Sequence, residues 1–250
     1  MNYVNLNTQN GIGTIEFFTD QSNSLPGDIL KKLADTVTQA GNDPQIKVII
    51  LRSGGDRTFC AGASFDELIA IEDKKKGLAF FMGFANVINA IRKAPKFVIG
   101  RVQGKAVGGG IGLAAAVDYC FATKHAAIKL SELAVGIGPF VVGPAIERKM
   151  GLSAMSQMGM NPDEFFDPKW ANQKGLFAKL YDDPKAMDKA IQDMAQKLAA
   201  SNPEAMAEMK RVFWDGTEHW DELLAERAQI SGNLVTSDFT KSFIQQFKKK

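Results

Sequence analysis

The sequence predicts an α/β fold whose first half alternates strands and helices and whose second half is almost wholly helical. Short, continuous, β-branched runs such as "KVIILR" (47–52) and "FVIGRV" (97–102) read as strands buried on both faces. They alternate with longer segments of helical period, which argues for right-handed parallel βαβ units. Beyond residue 140 the strand signals fade, and proline-led helical segments follow one another.

Taken in order, Tyr3, Val4 and Leu6 precede the turn dipeptide Asn10-Gly11, and Ile12, Thr14, Ile15 and Phe17 follow it, so the chain opens on a hairpin. "SNSLPGD" supplies caps and a proline ahead of "ILKKLADTVTQA", whose apolar residues recur at helical spacing until Asn42-Asp43-Pro44 stops them. After "KVIILR", the segment "SGGDRTFCAGAS" reads as an irregular glycine-rich loop, and "GLAFFMGFANVINAIRK" as a long helix ending near Pro95. "FVIGRV" runs into "GKAVGGGIGL"; then "GIGLAAAV" reads as a short apolar helix, "DYCFAT" as a third strand and "AIKLSE" as a fourth. "PAIERKMG", "SAMSQMG", "PKWANQKG", "PKAMDKAIQDMAQKLAA", "PEAMAEMKRVFW" and "WDELLAERAQISGNL" read as helices, and Ser237 caps a last one, "DFTKSFIQQF".

The bulk properties exclude several classes of function. A chain of 250 residues without a long polar linker fits one domain with a helical appendage, large enough to bury a core without staples. A net charge of +2 lacks the basic excess of a nucleic-acid binder, and the run Lys248, Lys249, Lys250 reads as a solvated helix end. No apolar stretch is long enough to span a bilayer. Cys60 and Cys120 form no CxxC pair and no leader-like segment precedes the fold, as expected of a chain in the cytoplasm. His125 and His219 are the only histidines, so no metal-ligand spacing exists. Met155, Met158 and Met160 read as core fillers, Trp170 and Trp214 as packing or interface residues, and His125 as a surface residue. Asp118 reads as a structural cap at a strand start. Asp66 and Glu67, with Lys74 to Lys76, read as a solvated helix or lid, with a substitute acid there as the alternative.

Two loops stand out, because each follows a buried strand and bares its backbone: "FCAGAS" and "GKAVGGGIG". In open parallel sheets, ligands bind beyond the carboxyl ends of the strands. The second loop also opens a helix, whose first N–H groups are unpaired and carry partial positive charge. Donors from two such loops can make an oxyanion hole, where one donor supplies about 3–4 kcal/mol of transition-state stabilisation. The alternative for Gly108 to Gly110 is close packing of a helix on a strand. The spacing is not GxGxxG and no GK[ST] follows, so neither a dinucleotide fingerprint nor a P-loop is present.

"TFCAGASFDEL", "APKFVIGRVQGKAVGGGIGLAAAVDYCFAT" and "AIKLSELAVGIGP" resemble the three signature blocks of the enoyl-CoA hydratase/isomerase (crotonase) superfamily. "FDPKWANQKGLFAKLYDD" resembles a further segment of that family, and the likeness runs from about residue 3 to 183. The resemblance implies a crotonase-like spiral of ββα units over residues 1–190 and a helical region over 191–250 that builds a homotrimer or a dimer of trimers. It implies an acyl-CoA thioester as ligand, with coenzyme A part of the substrate rather than a separate cofactor. It implies that the N–H groups of Ala63 and Gly109 hold the thioester oxygen as it becomes an enolate. Ser24, Leu25, Ala61 and Phe65 would border the CoA, and Gly110, Gly112 and Phe140 would shape the acyl pocket.

The chain also departs from that pattern. Hydratases of the family carry two glutamates; the second position is Glu132, in a Ser-Glu step, and the first is Gly112. Phe140 stands where a glycine is expected. Glu132 has Leu130, Leu133 and Val135 as sequence neighbours, and burial among them would raise its pKa toward neutrality. Read without the resemblance, Glu132 is equally a charged residue at a strand end. One carboxylate suits either of two reactions: syn hydration of a 2-enoyl-CoA, or a 1,3 proton shift from 3-enoyl-CoA to 2-enoyl-CoA. Glycine at the first position with a Ser-Glu step is similar to a branch that hydrates methylglutaconyl-type branched acyl-CoAs, which ranks hydration first. A non-catalytic acyl-CoA-binding subunit is the third possibility, motivated by Gly112 and Phe140.

Overall fold

The opening hairpin forms through the turn that the sequence announces. In the computed structural model, which describes residues 1–248, β1 (Tyr3–Gln9) pairs antiparallel with β2 (Ile12–Phe18). Asn10 and Gly11 take φ of 52° and 78°, as a two-residue turn matched to strand twist requires. The chain continues through β3 (Ser24–Leu25), α1 (Gly27–Asn42), β4 (Val48–Ser53), β5 (Thr58–Cys60), β6 (Gly62–Ala63), α2 (Phe65–Ile69) and α3 (Lys74–Lys93). Next come β7 (Val98–Val102), β8 (Lys105–Val107), α4 (Gly109–Ala116), β9 (Tyr119–Thr123), β10 (Ile128–Lys129) and a 3₁₀ turn (Glu132–Val135). The remainder is α5 (Gly143–Met150), α6 (Leu152–Met160), α7 (Pro168–Gln173), β11 (Lys179–Tyr181), α8 (Pro184–Ala199), α9 (Pro203–Phe213), α10 (Trp220–Leu234) and α11 (Asp238–Lys248). Lys249 and Lys250 of the basic run lie outside the described residues.

The main sheet has the order β1-β2-β4-β7-β9-β11 and is parallel beyond the hairpin. Each of β4, β7 and β9 is followed by a short strand, β5, β8 or β10, and these three form a second parallel sheet. A helix or helical turn then leads back to the main sheet. Repetition of this strand–strand–helix unit makes a crotonase-like spiral, with the helices of the second half packed around it.

β4 shows why its sequence is continuously apolar. Ile49 and Leu51 face the interior with α1, α3 and α4, while Val48 and Ile50 face Met187 and Ile191 of α8 on the other side. Covered on both faces, these four positions are apolar, and polar residues enter only at the strand's end, where Arg52 pairs with Glu16 and Ser53 accepts from Gln103. α4 is buried along its whole length, as a helix without a polar face must be. α10 lies along α3, and Gly77 and Gly232 let the two backbones meet: a β-carbon on Gly77 would sit 2.8 Å from the Gly232 carbonyl oxygen.

Four local expectations need correction. The glycine-rich segment after β4 contains β5 and β6, and β8 intervenes before the glycine triplet. The fourth strand spans only Ile128–Lys129, so Glu132 opens a 3₁₀ turn instead of ending a strand. β11 lies in the half read as wholly helical, where it completes the main sheet beside β9. These strands are two or three residues long, too short to show a period. Met158 is buried and Met155 packs against the core, but Met160 ends α6 exposed to solvent.

Asp118 is a structural tie, as its position suggested. Its carboxylate accepts from the Val98 N–H at 2.7 Å, Lys210 Nζ at 2.6 Å and Trp214 Nε1 at 2.9 Å, joining α9 to the main sheet. Among the described residues no helix is long and apolar enough to cross a membrane, and no cluster of His, Cys, Asp and Glu could hold a metal ion.

Candidate active site

A cavity of about 200 Å³ opens where the loops after β5 and β8 meet the 3₁₀ turn and helices α2, α3 and α10. The first loop is fixed through β6, which pairs with β3 in the register Ser24↔Gly62 and Leu25↔Ala63. The Ser64 N–H donates to the Leu25 carbonyl at 3.1 Å, holding Ala63 at the cavity wall. Ser24 and Leu25 therefore support Ala63 from behind. Neither lines the cavity, and the Leu25 side chain is fully buried in the core. Ala61 and Phe65 do line it.

The second loop is fixed at Gly108, whose N–H donates to the Lys129 carbonyl at 2.8 Å. Gly108 has φ 51°, ψ −118°, a conformation that disfavours any side chain, and a β-carbon there would sit 2.9 Å from Glu132 Oε1. Gly109 opens α4, so its N–H has no acceptor within the helix. A β-carbon on Gly109 would lie 2.3 Å from the Phe84 ring. The two loops meet here: a β-carbon on Gly62 would be 3.7 Å from the Gly109 nitrogen. Ala63, Gly109 and Glu132, far apart in sequence, thus share one cavity.

Glu132 is half-buried, and its Oε2 is enclosed without a hydrogen-bond partner. Burial pushes its carboxyl from the ordinary 4.5 up to about 7, while the backbone N–H groups of Glu132 and Ser131 pull it partly back. Leu133 plays no part in this burial, because its side chain is exposed; Val135 lines the cavity instead. Gly136 closes the 3₁₀ turn in the left-handed region, and Thr240 of α11 donates to its carbonyl at 3.3 Å.

The remaining expected pocket residues divide. Phe140 lines the cavity with its ring folded over Gly138, where a β-carbon would lie 2.5 Å away. Gly110 does not line it: a β-carbon there would sit 2.6 Å from the Cys60 carbonyl oxygen, so this glycine serves close packing of α4 on β5. Gly112 does not line it either. A β-carbon there would lie 2.4 Å from Val142 Cγ1, and Val142 is itself part of the cavity wall. Valine fills the space into which a side chain at 112 would project.

Glu67 and Asp66 do not replace the missing carboxylate. Glu67 Oε2 accepts from the Gly27 N–H at 2.8 Å, capping α1, and Asp66 accepts from Gln21 at 3.1 Å. Among the described lining residues, Glu132 is the only carboxylate, and none is Lys, Arg or His. Phe84, Val142 and Ser231 are wall residues that sequence reasoning missed. The helical period of α3 marks Phe84 as inward-facing, but nothing local distinguishes Val142 or Ser231 from ordinary core residues.

A carboxyl titrating near pH 7 can take up or release a proton at neutral pH, and the Gly109 N–H at the start of α4 can donate to a developing oxyanion. A family model described as enoyl-CoA hydratase/isomerase matches residues 7–250. A probable enoyl-CoA hydratase of Bacillus subtilis is 25% identical over 100% of this chain and 97% of that protein. The human mitochondrial methylglutaconyl-CoA hydratase is 30% identical over 78% of this chain, which spans 58% of that protein. In fold, the crystal structure of an enoyl-CoA hydratase from Bacillus halodurans superposes with a TM-score of 0.90 at 18% identity, covering 98% of this chain and 99% of that one.

Proposed function

The chain belongs to the enoyl-CoA hydratase/isomerase family, and from its single cavity carboxylate we propose that it hydrates a 2-enoyl-CoA thioester, with Glu132 as acid and base. Enzymatic chemistry of the hydratase/isomerase type on an acyl-CoA thioester follows from the family; the choice of hydration and the residue roles are our reading. The N–H groups of Ala63 and Gly109 receive the thioester oxygen. Ionised Glu132 takes a proton from water as the water oxygen bonds to the β-carbon, and the π electrons move onto the thioester as an enolate. Glu132 then returns that proton to the α-carbon, giving the 3-hydroxyacyl-CoA. The observation that carries this reading is the half-buried Glu132, its Oε2 without a hydrogen-bond partner, in one cavity with both bare-backbone loops.

The cavity is small beside the ~300–1,000 Å³ of pockets for drug-sized ligands, so it suits the acyl part of the thioester. Ala61 and Phe65 would border the CoA directly, with Ser24 and Leu25 holding the adjoining strand. Exposed Met209, Val212, Phe213, Ile230 and Phe239 on the helices of residues 191–250 suit assembly into a trimer or dimer of trimers. Light scattering that gives a monomeric mass would overturn that assembly. The two free, buried thiols suit a reducing cytoplasm.

A second reading, isomerisation of 3-enoyl-CoA to 2-enoyl-CoA, draws support from the largely apolar, aromatic wall, which offers few partners for a bound water. Incubating the enzyme with 2-enoyl- and 3-enoyl-CoA thioesters, with mass detection, separates the two. Hydration yields a 3-hydroxy product whose formation Glu132→Gln slows about 10²–10⁴-fold. Double-bond migration with no 3-hydroxy product overturns hydration in favour of isomerisation.

A further inference from the structure

The cavity holds a polar group that this chemistry does not use. Ser231, on α10, is 1% exposed, lines the cavity, and leaves its hydroxyl without a hydrogen-bond partner. Serine and threonine inside helices commonly donate to the carbonyl four residues back. Thr36 and Thr38 of α1 do so in this chain, to Lys32 and Ala34. Ser231 makes no such bond. An enclosed hydroxyl without a partner is costly, and a ligand that completes it recovers that cost.

Its position separates it from the reacting end. Ser231 precedes Gly232, which sits against Gly77 and Leu78 in the first turn of α3. One turn further on, just past the end of α10, Val235 packs with Leu68 and Ile137. Ser231 therefore enters from the helical wall, whereas Ala63 and Gly109 enter from the loops and Glu132 from the 3₁₀ turn. This wall of α10 is where the proposal below places the far end of an acyl chain whose thioester lies at the loops. Among the described residues no Lys, Arg or His lines the cavity, so within that lining an anionic chain end would lie beside Glu132 without a counter-ion.

Resting on the acyl-CoA reading above, we propose that Ser231 recognises the far end of the acyl chain and selects a neutral oxygen function there, a hydroxyl or a carbonyl. Pure hydrocarbon chains leave the serine unpaired, and carboxylate-ended chains, the methylglutaconyl type among them, bring an uncompensated charge, so the proposed substrate differs from that branch's in its chain end.

Direct binding tests this without turnover. Saturated chains offer no double bond to hydrate or move, so calorimetry on the parent enzyme compares butanoyl-, pentanoyl- and hexanoyl-CoA with their terminal-hydroxy and terminal-carboxy counterparts, and with acetyl-CoA. At the best-fitting length the hydroxy thioester binds about three- to tenfold more tightly than the hydrocarbon, and the carboxy thioester most weakly. Ser231→Ala removes that preference and leaves acetyl-CoA binding unchanged, while Ser231→Thr, which keeps the hydroxyl, retains it. Equal binding of hydroxy and hydrocarbon chains at every length overturns the role of Ser231 but not the acyl-CoA reading. So does an equal loss for acetyl-CoA in Ser231→Ala, which would place the serine on the CoA portion. Failure of every thioester to bind overturns both.

Discussion

At Glu132 the fold encloses a carboxyl group while leaving Oε2 without a donor, which raises its pKa from 4.5 to about 7. The direction of this shift fixes how stability depends on pH. Below about pH 4.5 folded and unfolded chains both hold the proton, and the shift has no effect. Between 4.5 and about 7 the unfolded chain releases it while the folded chain keeps it, so stability falls as pH rises. Above that window the cost levels off on the order of 3 kcal/mol. Glu132→Gln is therefore expected to melt at a higher temperature than the parent at pH 8, with the difference gone at pH 4. Thermal denaturation at the two pH values checks this, and a constant difference contradicts it. The same substitution should lower turnover about 10²–10⁴-fold. In the parent, kcat/KM for hydration should rise with pH through about 7, because the ionised carboxylate accepts the first proton. A profile flat from pH 6 to 8 removes Glu132 from that step.

At the scale of elements, Gly112 on α4 and Val142 just before α5 form one packing unit. A methyl group at 112 would meet Val142 Cγ1 at 2.4 Å and Cβ at 2.8 Å. Gly112→Ala should cost about 1–3 kcal/mol through overpacking. Combined with Val142→Gly, which removes both contacts, it should cost less than the sum of the single substitutions. A double-mutant cycle by urea denaturation measures the coupling, and strict additivity refutes the contact. The glycine that reads in sequence as a missing carboxylate is thus also a steric counterpart of a wall residue. Restoring a glutamate there requires Val142 to move.

Across the whole molecule, Asp118 ties the helices after residue 200 to the main sheet. The Lys210 ammonium and Asp118 carboxylate are both buried, with side chains 3% and 7% exposed. Burial favours the neutral amine and lowers the Lys210 pKa, while Asp118 opposes that effect. Asp118→Ala leaves the lysine enclosed without its counter-ion, at about 3–5 kcal/mol. Lys210→Met in that background should recover part of the loss. If Asp118→Ala unfolds at the parental urea concentration, the tie carries no stability.

The alternation of strands and helices, the Asn10-Gly11 hairpin and the two bare-backbone loops were legible in the sequence because periodicity and turn chemistry are local properties. Glu132 was legible as a residue, but its neighbours in the sequence did not identify what encloses it: Leu133 points to solvent. β3, β5, β6, β8 and β11 escaped notice, and β10 was read too long, because strands of two or three residues exist only through partners elsewhere in the chain. The sequence by itself determined the layered α/β architecture and the residue types at the loops. Only the tertiary structure decided that Val142 occupies the space beside Gly112, that Phe84 closes over Gly109, and that Ser231 reaches the same cavity as Glu132. Those contacts join residues tens of positions apart, and their distances follow from the packing of whole elements, which no local pattern encodes.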